Sequence, residues 1–511
     1  MSGSCYPPTR PHPPDFLQSY NFFLEKQLFF WLFQKKLLTY YKHQNKSKRT
    51  AQRKRFRDTQ KSDSSSKDRG KIMLWHIKKV ISCHFPDLSC RLSSITDPRK
   101  GIYYTIEEVI MAAVVLFLFK CESRNSFNNK LKDEQFSSNY FRMFGLNPPH
   151  MDSVNELIEK IEEKELISLR CRLLSSLIEK RVFHKFRFFT KYFCIGIDGT
   201  GVYQWGDNPD KEIKEFALKK ESSTGKVSYN SLILESVLIC SNGMTIPLIS
   251  EWIANDGQKY DKQDCELKAF KRLAEKLKDY FPRLPVCLLV DGLYTNVALM
   301  DICQKYDWKF ITVFKDGNLP SVWQEVESLL PLEKNNTTEQ VCGDSNWWRT
   351  YNYKWLKNIQ YQKHTINWVE CVQENKHRKT SQKHIKQFVY LTNIEVNCDN
   401  VASLLKAGRA RWGIEDHFNT QKNRGGNLHH KFNRNNLNAI KNWHNLRQLA
   451  CMIGELVEYC EQIQSLLKQQ AKLTLKQLYV DINSFLTMHS ADEAIVEFEH
   501  WCSSRRQVRL E

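Results

Sequence analysis

Residues 192–201, YFCIGIDGTG, and residues 286–292, VCLLVDG, decide the predicted fold. Each stretch is a short run rich in apolar and β-branched residues that ends in an aspartate followed by glycine. Runs of this kind are typical of buried strands. A side chain at the carboxyl end of such a strand is exposed at one edge of the sheet. We therefore expect two buried strands that present Asp198 and Asp291 at a sheet edge.

The sequence around these two runs predicts a mixed α/β sheet. Residues 231–253 contain two strand-like runs joined by Asn242-Gly243, which is a strong signal for a β-hairpin. An apolar stripe at helical spacing predicts a helix from about Lys262 to Tyr280. A second helix, from about Asn296 to Lys305, precedes the strand-like run 310–314. The order of elements is strand, hairpin, helix, strand, helix, strand.

Composition divides the chain into six parts. The predicted parts are a disordered basic arm (1–71), a helical N-terminal domain (72–190), the first part of the α/β core (191–315), a β-rich insertion (316–400), the second part of the core (401–460) and a helical C-terminal tail (461–511).

Two features of the helical N-terminal domain are clear in the sequence. Residues 109–119 are apolar and end at Lys120, so they are too short for a membrane span and predict a buried helix with Thr105 as its N-cap. Residues 151–180 repeat apolar residues at helical spacing. Asp152 and Ser153 are the predicted cap of this second helical stretch.

The positive charge of the chain is concentrated near its N-terminus. The formal net charge is +19, and residues 35–71 hold fourteen Lys and Arg against three Asp, a net of 14 − 3 = +11. A polar, Ser-rich segment of this kind binds phosphate backbones through counterion release without reading their sequence. The alternative interpretation is a solvated linker that maintains solubility.

The sixteen cysteines include no C-x-x-C pair, and several lie inside apolar runs. Buried thiols are typical of a reducing compartment, and the spacing around Cys83 and Cys90 matches no common zinc motif. The N-terminus carries no signal-peptide pattern. We expect a soluble, cytoplasmic protein with no membrane partner.

A third acidic position has companions at helical spacing. Arg411, Glu415 and Lys422 lie at i, i+4 and i+11, and at ~100° per residue they project within roughly 40° of one another. Together with Asp198 and Asp291, Glu415 would form a group of carboxylates that repel one another unless a cation lies between them. Oxygen ligands suit Mg²⁺ or Mn²⁺. The alternatives are a solvated helix face and aspartates that cap the turns after them.

Residues 411–430, RWGIEDHFNTQKNRGGNLHH, resemble the signature helix of the bacterial insertion-sequence transposases of the type-four family. That signature is Tyr, two residues, Arg, three residues, Glu, six residues, Lys. Arg411, Glu415 and Lys422 match its spacing, whereas Gly408 stands at the Tyr position. IGIDGTG (195–201) and LLVDGLYTN (288–296) likewise resemble the segments that hold the first and second acids of the family, and KQDCELKAFKRL (262–273) resembles the helix between them. A weaker match of PHMDSVNELIEKI (149–161) to the helical N-terminal region of the family extends the resemblance to roughly residues 100–460.

The resemblance implies a ribonuclease-H-like catalytic core interrupted by the β-rich insertion, with a DNA-binding helical N-terminal domain. It implies a DDE transposase in which Asp198, Asp291 and Glu415 bind two Mg²⁺ or Mn²⁺ ions. Such an enzyme cuts the ends of an insertion sequence and joins them to target DNA. Arg411 and Lys422 would bind DNA phosphates. The implied partners are double-stranded DNA and a second copy of the chain, and the implied location is the bacterial nucleoid.

Two alternatives remain open at the level of sequence. One is a structure-specific nuclease of the same fold, and the other is a catalytically dead DNA-binding derivative. Relatives also insert an aromatic side chain from the β-rich insertion to stack a flipped base. The candidates are four tryptophans for which core packing is the favoured role: Trp347, Trp348, Trp355 and Trp368.

Overall fold

Helices precede, interrupt and follow one mixed β-sheet. The computed structural model describes residues 66–255, 265–380, 382–503 and 508–511. The predicted arm lies outside the described residues as far as Ser65. The first helices are α1 (Ser66–His84), α2 (Leu88–Ser93), α3 (Ile106–Leu118), α4 (Arg124–Leu131), α5 (Glu134–Phe144), α6 (Met151–Lys160) and α7 (Glu163–Glu179).

The sheet is built in two stages along the chain. The first stage comprises β1 (Phe193–Trp205), α8 (Lys211–Phe216), β2 (Leu218–Glu221), β3 (Val227–Ile239), β4 (Thr245–Ile253), α9 (Glu266–Tyr280), β5 (Val286–Val290), α10 (Val297–Tyr306) and β6 (Lys309–Val313). The second comprises α11 (Pro320–Leu329), β7 (Thr337–Gly343), β8 (Trp347–Tyr361), β9 (His364–His377) and β10 (Lys383–Thr392). The chain then continues through α12 (Val401–Ala410), α13 (Gly413–Asn423), α14 (Leu437–Glu458), α15 (Glu461–Gln469), α16 (Leu475–Met488) and α17 (Asp492–Ser503).

The ten strands form one sheet of mixed direction, which confirms the predicted α/β class. The strand order is β2-β3-β1-β5-β6-β10-β9-β8-β7, and β4 pairs with β3. β1, β5 and β6 are parallel, whereas β3 and β10 run antiparallel to their neighbours β1 and β6. Because β10 pairs directly with β6, the strands β7–β10 of residues 337–392 belong to the same sheet as β1–β6.

Local sequence signals account for several elements. Thr105 closes a capping box with Glu108 at the start of α3, and the apolar residues of α3 are buried. The predicted hairpin joins β3 to β4, and Gly243 in its turn adopts φ +94°, which favours glycine. Among the described helices, none combines the length and the apolar character needed to cross a bilayer.

Two predicted boundaries are wrong. α6 begins at Met151 and has His150 as its N-cap, instead of the predicted Asp152 or Ser153. The Met151 side chain is buried in the core, so the first turn of the helix includes this residue. α1 begins at Ser66, inside the predicted disordered arm. The hydroxyl of Ser66 and the guanidinium of Arg69 both bind the carboxylate of Asp481 in α16, which orders this end of the helix.

The capping box of α3 is directly testable. Thr105→Ala removes the oxygen that accepts the Glu108 amide hydrogen, and we expect a loss of about 1 kcal/mol in the free energy of unfolding. Urea denaturation measures this loss. Ser89→Ala, at an exposed position in α2, is the control and should change stability by less than ~0.5 kcal/mol. Equal stability of the two variants would contradict the capping role.

Candidate functional site

Asp198 and Asp291 lie side by side on adjacent strands, where β5 ends but β1 continues to Trp205 through its pairing with β3, so the prediction that a strand ends at Asp198 is wrong. β1 and β5 are parallel, and Gly196 pairs with Leu289. Each aspartate is two residues beyond this pair, on strands that are ~4.8 Å apart. The carboxylates also accept the amide hydrogens of the glycines that follow them, at 2.9 Å from Gly199 and 2.6 Å from Gly292. Asp291 therefore caps the short turn of helix that follows it, as the alternative interpretation expects, whereas Asp198 is followed by further residues of β1.

Arg411 connects these acids to Glu415. Its Nη2 lies 2.9 Å from Oε1 of Glu415, and its Nη1 lies 3.6 Å from Oδ2 of Asp198. The side chain of Arg411 is only 7% exposed, and its positive charge also acts on Asp291. The guanidinium of Arg411 is thus the shared counter-charge of the three predicted acids.

The prediction of a single helix face for Arg411, Glu415 and Lys422 is wrong. α12 ends at Ala410 and α13 begins at Gly413, so Arg411 lies in the turn between two helices. A glycine lies on each side of the turn, and the packing is tight at the first of them. A Cβ atom at Gly408 would lie 2.9 Å from the ring of Tyr390, and one at Gly413 would lie 3.4 Å from Ile239. The Arg411–Glu415 contact nevertheless forms.

Lys422, at the other end of α13, faces β1 beyond the acids. Its Nζ donates a hydrogen bond of 2.5 Å to Oγ1 of Thr200, which is two residues after Asp198 on the same strand. The ammonium group of Lys422 and the guanidinium of Arg411 therefore flank Glu415 along the strand that carries Asp198.

The two aspartates have different electrostatic environments. Burial raises the pKa of Asp198 to about 6, with Glu266 and Glu415 adding to the increase and the Gly199 amide and Arg411 opposing it. Burial also raises the pKa of Asp291, but hydrogen bonds from the Gly292 amide and from Lys315 outweigh it, so the net pKa is lowered. Nζ of Lys315 lies 3.0 Å from Oδ1 of Asp291. Asp198 is the acid whose negative charge is least compensated.

Sequence reasoning missed a fourth carboxylate, Glu266, at the start of α9. It accepts a hydrogen bond from the hydroxyl of Tyr294, and a Cβ atom at Gly199 would lie 3.0 Å from its Oε2. A glutamate in the first turn of a helix is common, so its sequence position alone gave no signal. Its contacts place it near the middle of β1 and near the residues that follow β5. Lys315 and Trp412, whose side chain is 62% exposed beside Arg411, were also missed.

A buried polar cluster fixes α13 against the sheet. Glu235 of β3 pairs with Asp198 of β1 in the strand register and is completely buried. Gln421 of α13 and Gln448 of α14 donate hydrogen bonds to it at 3.2 and 2.8 Å. Nε2 of His417 lies 3.3 Å from the same carboxylate. Burial raises the pKa of Glu235, but His417, His444 and Arg170 outweigh it and the net pKa is lowered.

Further residues act on the same cluster. His444 of α14 lies 3.6 Å from Glu235, and burial lowers the pKa of this histidine to about 3, with Glu235 opposing the decrease. Arg170 of α7 is completely buried and contributes positive potential at Glu235. None of the three guanidinium nitrogens of Arg170 has a hydrogen-bond partner among the described residues.

The donor chemistry of the site suits a hard divalent cation. Asp198, Asp291, Glu266 and Glu415 offer only oxygen ligands, which Mg²⁺ and Mn²⁺ prefer. Within the ranges that the structure describes, no three His, Cys, Asp or Glu side chains are already arranged to hold a metal ion. The side chains of Arg411 and Lys315 hold the carboxylates in the present arrangement. A cation would replace contacts that these two side chains now supply.

The comparisons with known proteins do not assign the chain to a family. No protein-family model matches its sequence, and no curated protein matches it.

The raised pKa of Asp198 predicts a pH-dependent cost to stability. Because its pKa is above the ordinary value of 3.8, the folded state binds the proton more tightly, and stability decreases as the pH rises from about 4 to about 6. Asp198→Asn keeps an acceptor for the Gly199 amide but carries no charge. We expect it to be more stable than the wild type at pH 7, by on the order of 1–3 kcal/mol.

Chemical denaturation at several pH values measures this difference, which should shrink towards zero near pH 4. Asp416→Asn, at an exposed position on α13, is the matched control and should follow the wild type. A difference for Asp198→Asn that stays constant across this pH range would contradict the proposed cause.

Proposed function

We propose that this protein is a metal-dependent DNA transposase with a ribonuclease-H-like core, related to the insertion-sequence transposases of the type-four family. One observation carries the proposal. Asp198 and Asp291 share a sheet edge, and Arg411 links Asp198 to Glu415 from a segment more than 200 residues later in the chain. An array of carboxylates at the carboxyl edge of a mixed sheet is suited to holding divalent cations near a phosphodiester.

The carboxylates would hold two Mg²⁺ or Mn²⁺ ions. Cations bound there would activate a water molecule or a 3′-hydroxyl and stabilise the leaving oxygen. Asp198 supports this role because its charge is under-compensated in the absence of a cation. Glu266 lies close enough to Asp198 and Gly199 to take part in orienting the same carboxylates.

The positive groups around the carboxylates would bind DNA. The guanidinium of Arg411 can engage a phosphate with two parallel hydrogen bonds, whereas Lys422 acts as a point charge. Trp412 exposes an aromatic ring beside Arg411, and an exposed ring of this kind can stack on a base. Two DNA ends need two such sites, so the proposed assembly on DNA is a homodimer.

The tryptophans of the extended sheet differ in availability for such stacking. Trp355 and Trp368 are buried, at 4% and 1% exposure, in agreement with the core packing favoured from sequence. Trp348 is 47% exposed, and the guanidinium of Arg378 lies 4.2 Å from the centre of one of its rings.

The role of Glu415 can be tested against a matched neighbour. Glu415→Gln preserves shape but removes the charge that would bind the cation, so we expect single-turnover cleavage to fall by several orders of magnitude. Asp416→Asn removes a charge from the adjacent, exposed position and should cleave normally. The substrate is a duplex carrying the terminal repeat of the DNA that flanks the gene, with Mg²⁺, Mn²⁺ or EDTA.

Cleavage by Glu415→Gln within ~10-fold of the wild type, which is a barrier change of only ~1.4 kcal/mol, would exclude Glu415 as the third acid. Full wild-type cleavage in EDTA would exclude the metal-dependent mechanism. A pre-cut end joined to target DNA identifies a transposase, whereas cleavage without joining identifies the nuclease alternative.

Lys422 should contribute to binding more than to chemistry. Lys422→Gln removes a charge beside Thr200, and we expect it to weaken binding of the end duplex by ~1–3 kcal/mol. Cleavage within complexes that have already formed should stay near the wild-type rate. Gel-shift titration and single-turnover cleavage on the same duplex separate the two effects. Lys406→Gln, at an exposed position on α12, is the control. If Lys422→Gln binds the duplex as tightly as this control, Lys422 does not contact the DNA.

A further inference from the structure

The segment that contains α13, α14 and the connection between them carries only positive charge over most of its length. The sequence has no acidic residue between Asp416 and Glu455, and this stretch holds six Lys and Arg and four His. Residues 422–434, which we name the basic loop, contain four of these six Lys and Arg. The side chains of Arg424, His429, His430 and Arg434 are exposed.

The basic loop follows β1 away from the candidate active site. Three of its side chains contact every second residue of β1 after Asp198. The contacts are Nζ of Lys422 to Oγ1 of Thr200 at 2.5 Å, Nδ1 of His429 to the carbonyl oxygen of Val202 at 2.9 Å, and Nζ of Lys431 to the carbonyl oxygen of Gln204 at 2.7 Å. The basic groups therefore form a row that starts next to the carboxylates.

The length of this row suits a nucleic-acid backbone. A strand rises ~3.3 Å per residue, so the path from Thr200 to Gln204 covers ~13 Å. One strand of duplex DNA has a phosphate about every 3.4 Å of helix axis, and because the backbone winds around that axis, a row of this length along the backbone meets several phosphates but fewer than roughly four. A strand whose phosphodiester lies at Asp198 would have its following phosphates beside the basic loop.

Among the described residues, the positive charge of the basic loop has little compensation. Burial lowers the pKa of His430, and the positive charges of Arg447, Arg434 and Arg124 lower it further. Burial and Arg434 likewise lower the pKa of Lys431. Two acids approach from α6. Asp152 lies 3.8 Å from Arg124, and Glu159 accepts a hydrogen bond from Asn433. An anionic ligand would relieve the mutual repulsion of these cations.

Buried contacts hold the basic loop in place. Arg447 of α14 is completely buried and donates a 2.9 Å hydrogen bond from Nε to the carbonyl oxygen of Gly426. A Cβ atom at Gly426 would lie 2.6 Å from the backbone of Gln421. The ring of Phe432 stacks on Trp443 in the core. A surface ordered in this way loses little conformational freedom when it binds a ligand.

We propose that the basic loop binds the phosphate backbone of one strand of duplex DNA and guides it along β1 from the carboxylates towards α4. The inference rests on the proposed function in taking DNA as the substrate. It adds a binding surface outside the signature residues, formed chiefly by Arg424, Lys431 and Arg434.

Salt-dependent binding of the full chain to a duplex tests this surface. The measurement is fluorescence anisotropy in EDTA, so no cleavage occurs. The variant combines Arg424→Gln, Lys431→Gln and Arg434→Gln. The control removes the same charge at exposed positions elsewhere in the chain, with Lys271→Gln, Lys472→Gln and Lys476→Gln. Each lost phosphate contact reduces the slope of log K against log salt by ~0.9, so we expect a reduction of roughly 2–3 for the loop variant and little change for the control.

The outcomes are distinct. A slope equal to that of the wild type, or the same reduction in both variants, would overturn the inference. Thermal melting checks that the loop variant is folded, and Arg434→Gln alone, at an exposed position, should still reduce the slope by about 0.9. If the loop variant loses binding while the wild type fails to cleave with Mg²⁺ or Mn²⁺, the result supports DNA binding by the basic loop and contradicts the proposed transposase activity.

Discussion

The buried carboxylate of Glu235 is the constraint on which the arrangement of the candidate site depends. A carboxylate taken fully out of water costs several kcal/mol unless hydrogen bonds and opposite charge compensate it. Its partners come from both α13 and α14, through Gln421, His417 and Gln448. A shift of either helix along β3 would leave a buried charge unpaired. Since Glu235 lies opposite Asp198 in the strand register, the same contacts set the distance between α13, which carries Glu415, and the acidic sheet edge.

The acidic edge itself is a less stable arrangement. Burial and two neighbouring carboxylates raise the pKa of Asp198, and Arg411 compensates them only in part. A neutral residue in place of Asp198 would fold at lower cost, and carboxylates with perturbed pKa values are typical of functional sites. Arg411 is suited to this place because its planar, delocalised charge can contact two carboxylates at once.

The extended part of the sheet contributes to the same geometry. β10 pairs with β6, and α12 packs against β6, β8, β9 and β10. The ring of Tyr390 lies against Gly408 with no room for a side chain there. This close packing precedes the turn at residues 411–412, and the turn directs Arg411 towards the acids. Strands of residues 337–392 therefore help to position a residue of the candidate active site.

The sequence by itself determined the features that depend on neighbouring residues. The strand that ends before Asp291, the hairpin at Asn242-Gly243 and the cap at Thr105 follow from local hydrogen bonding and from the alternation of apolar side chains, whereas the continuation of β1 past Asp198 to Trp205 does not. The tertiary structure decided the rest. The turn at Arg411, the approach of Glu266 to Gly199 and the path of the basic loop along β1 depend on contacts between residues far apart in the chain. Such contacts arise from packing and charge compensation between different elements. The pattern of residues within one helix or strand does not predict them.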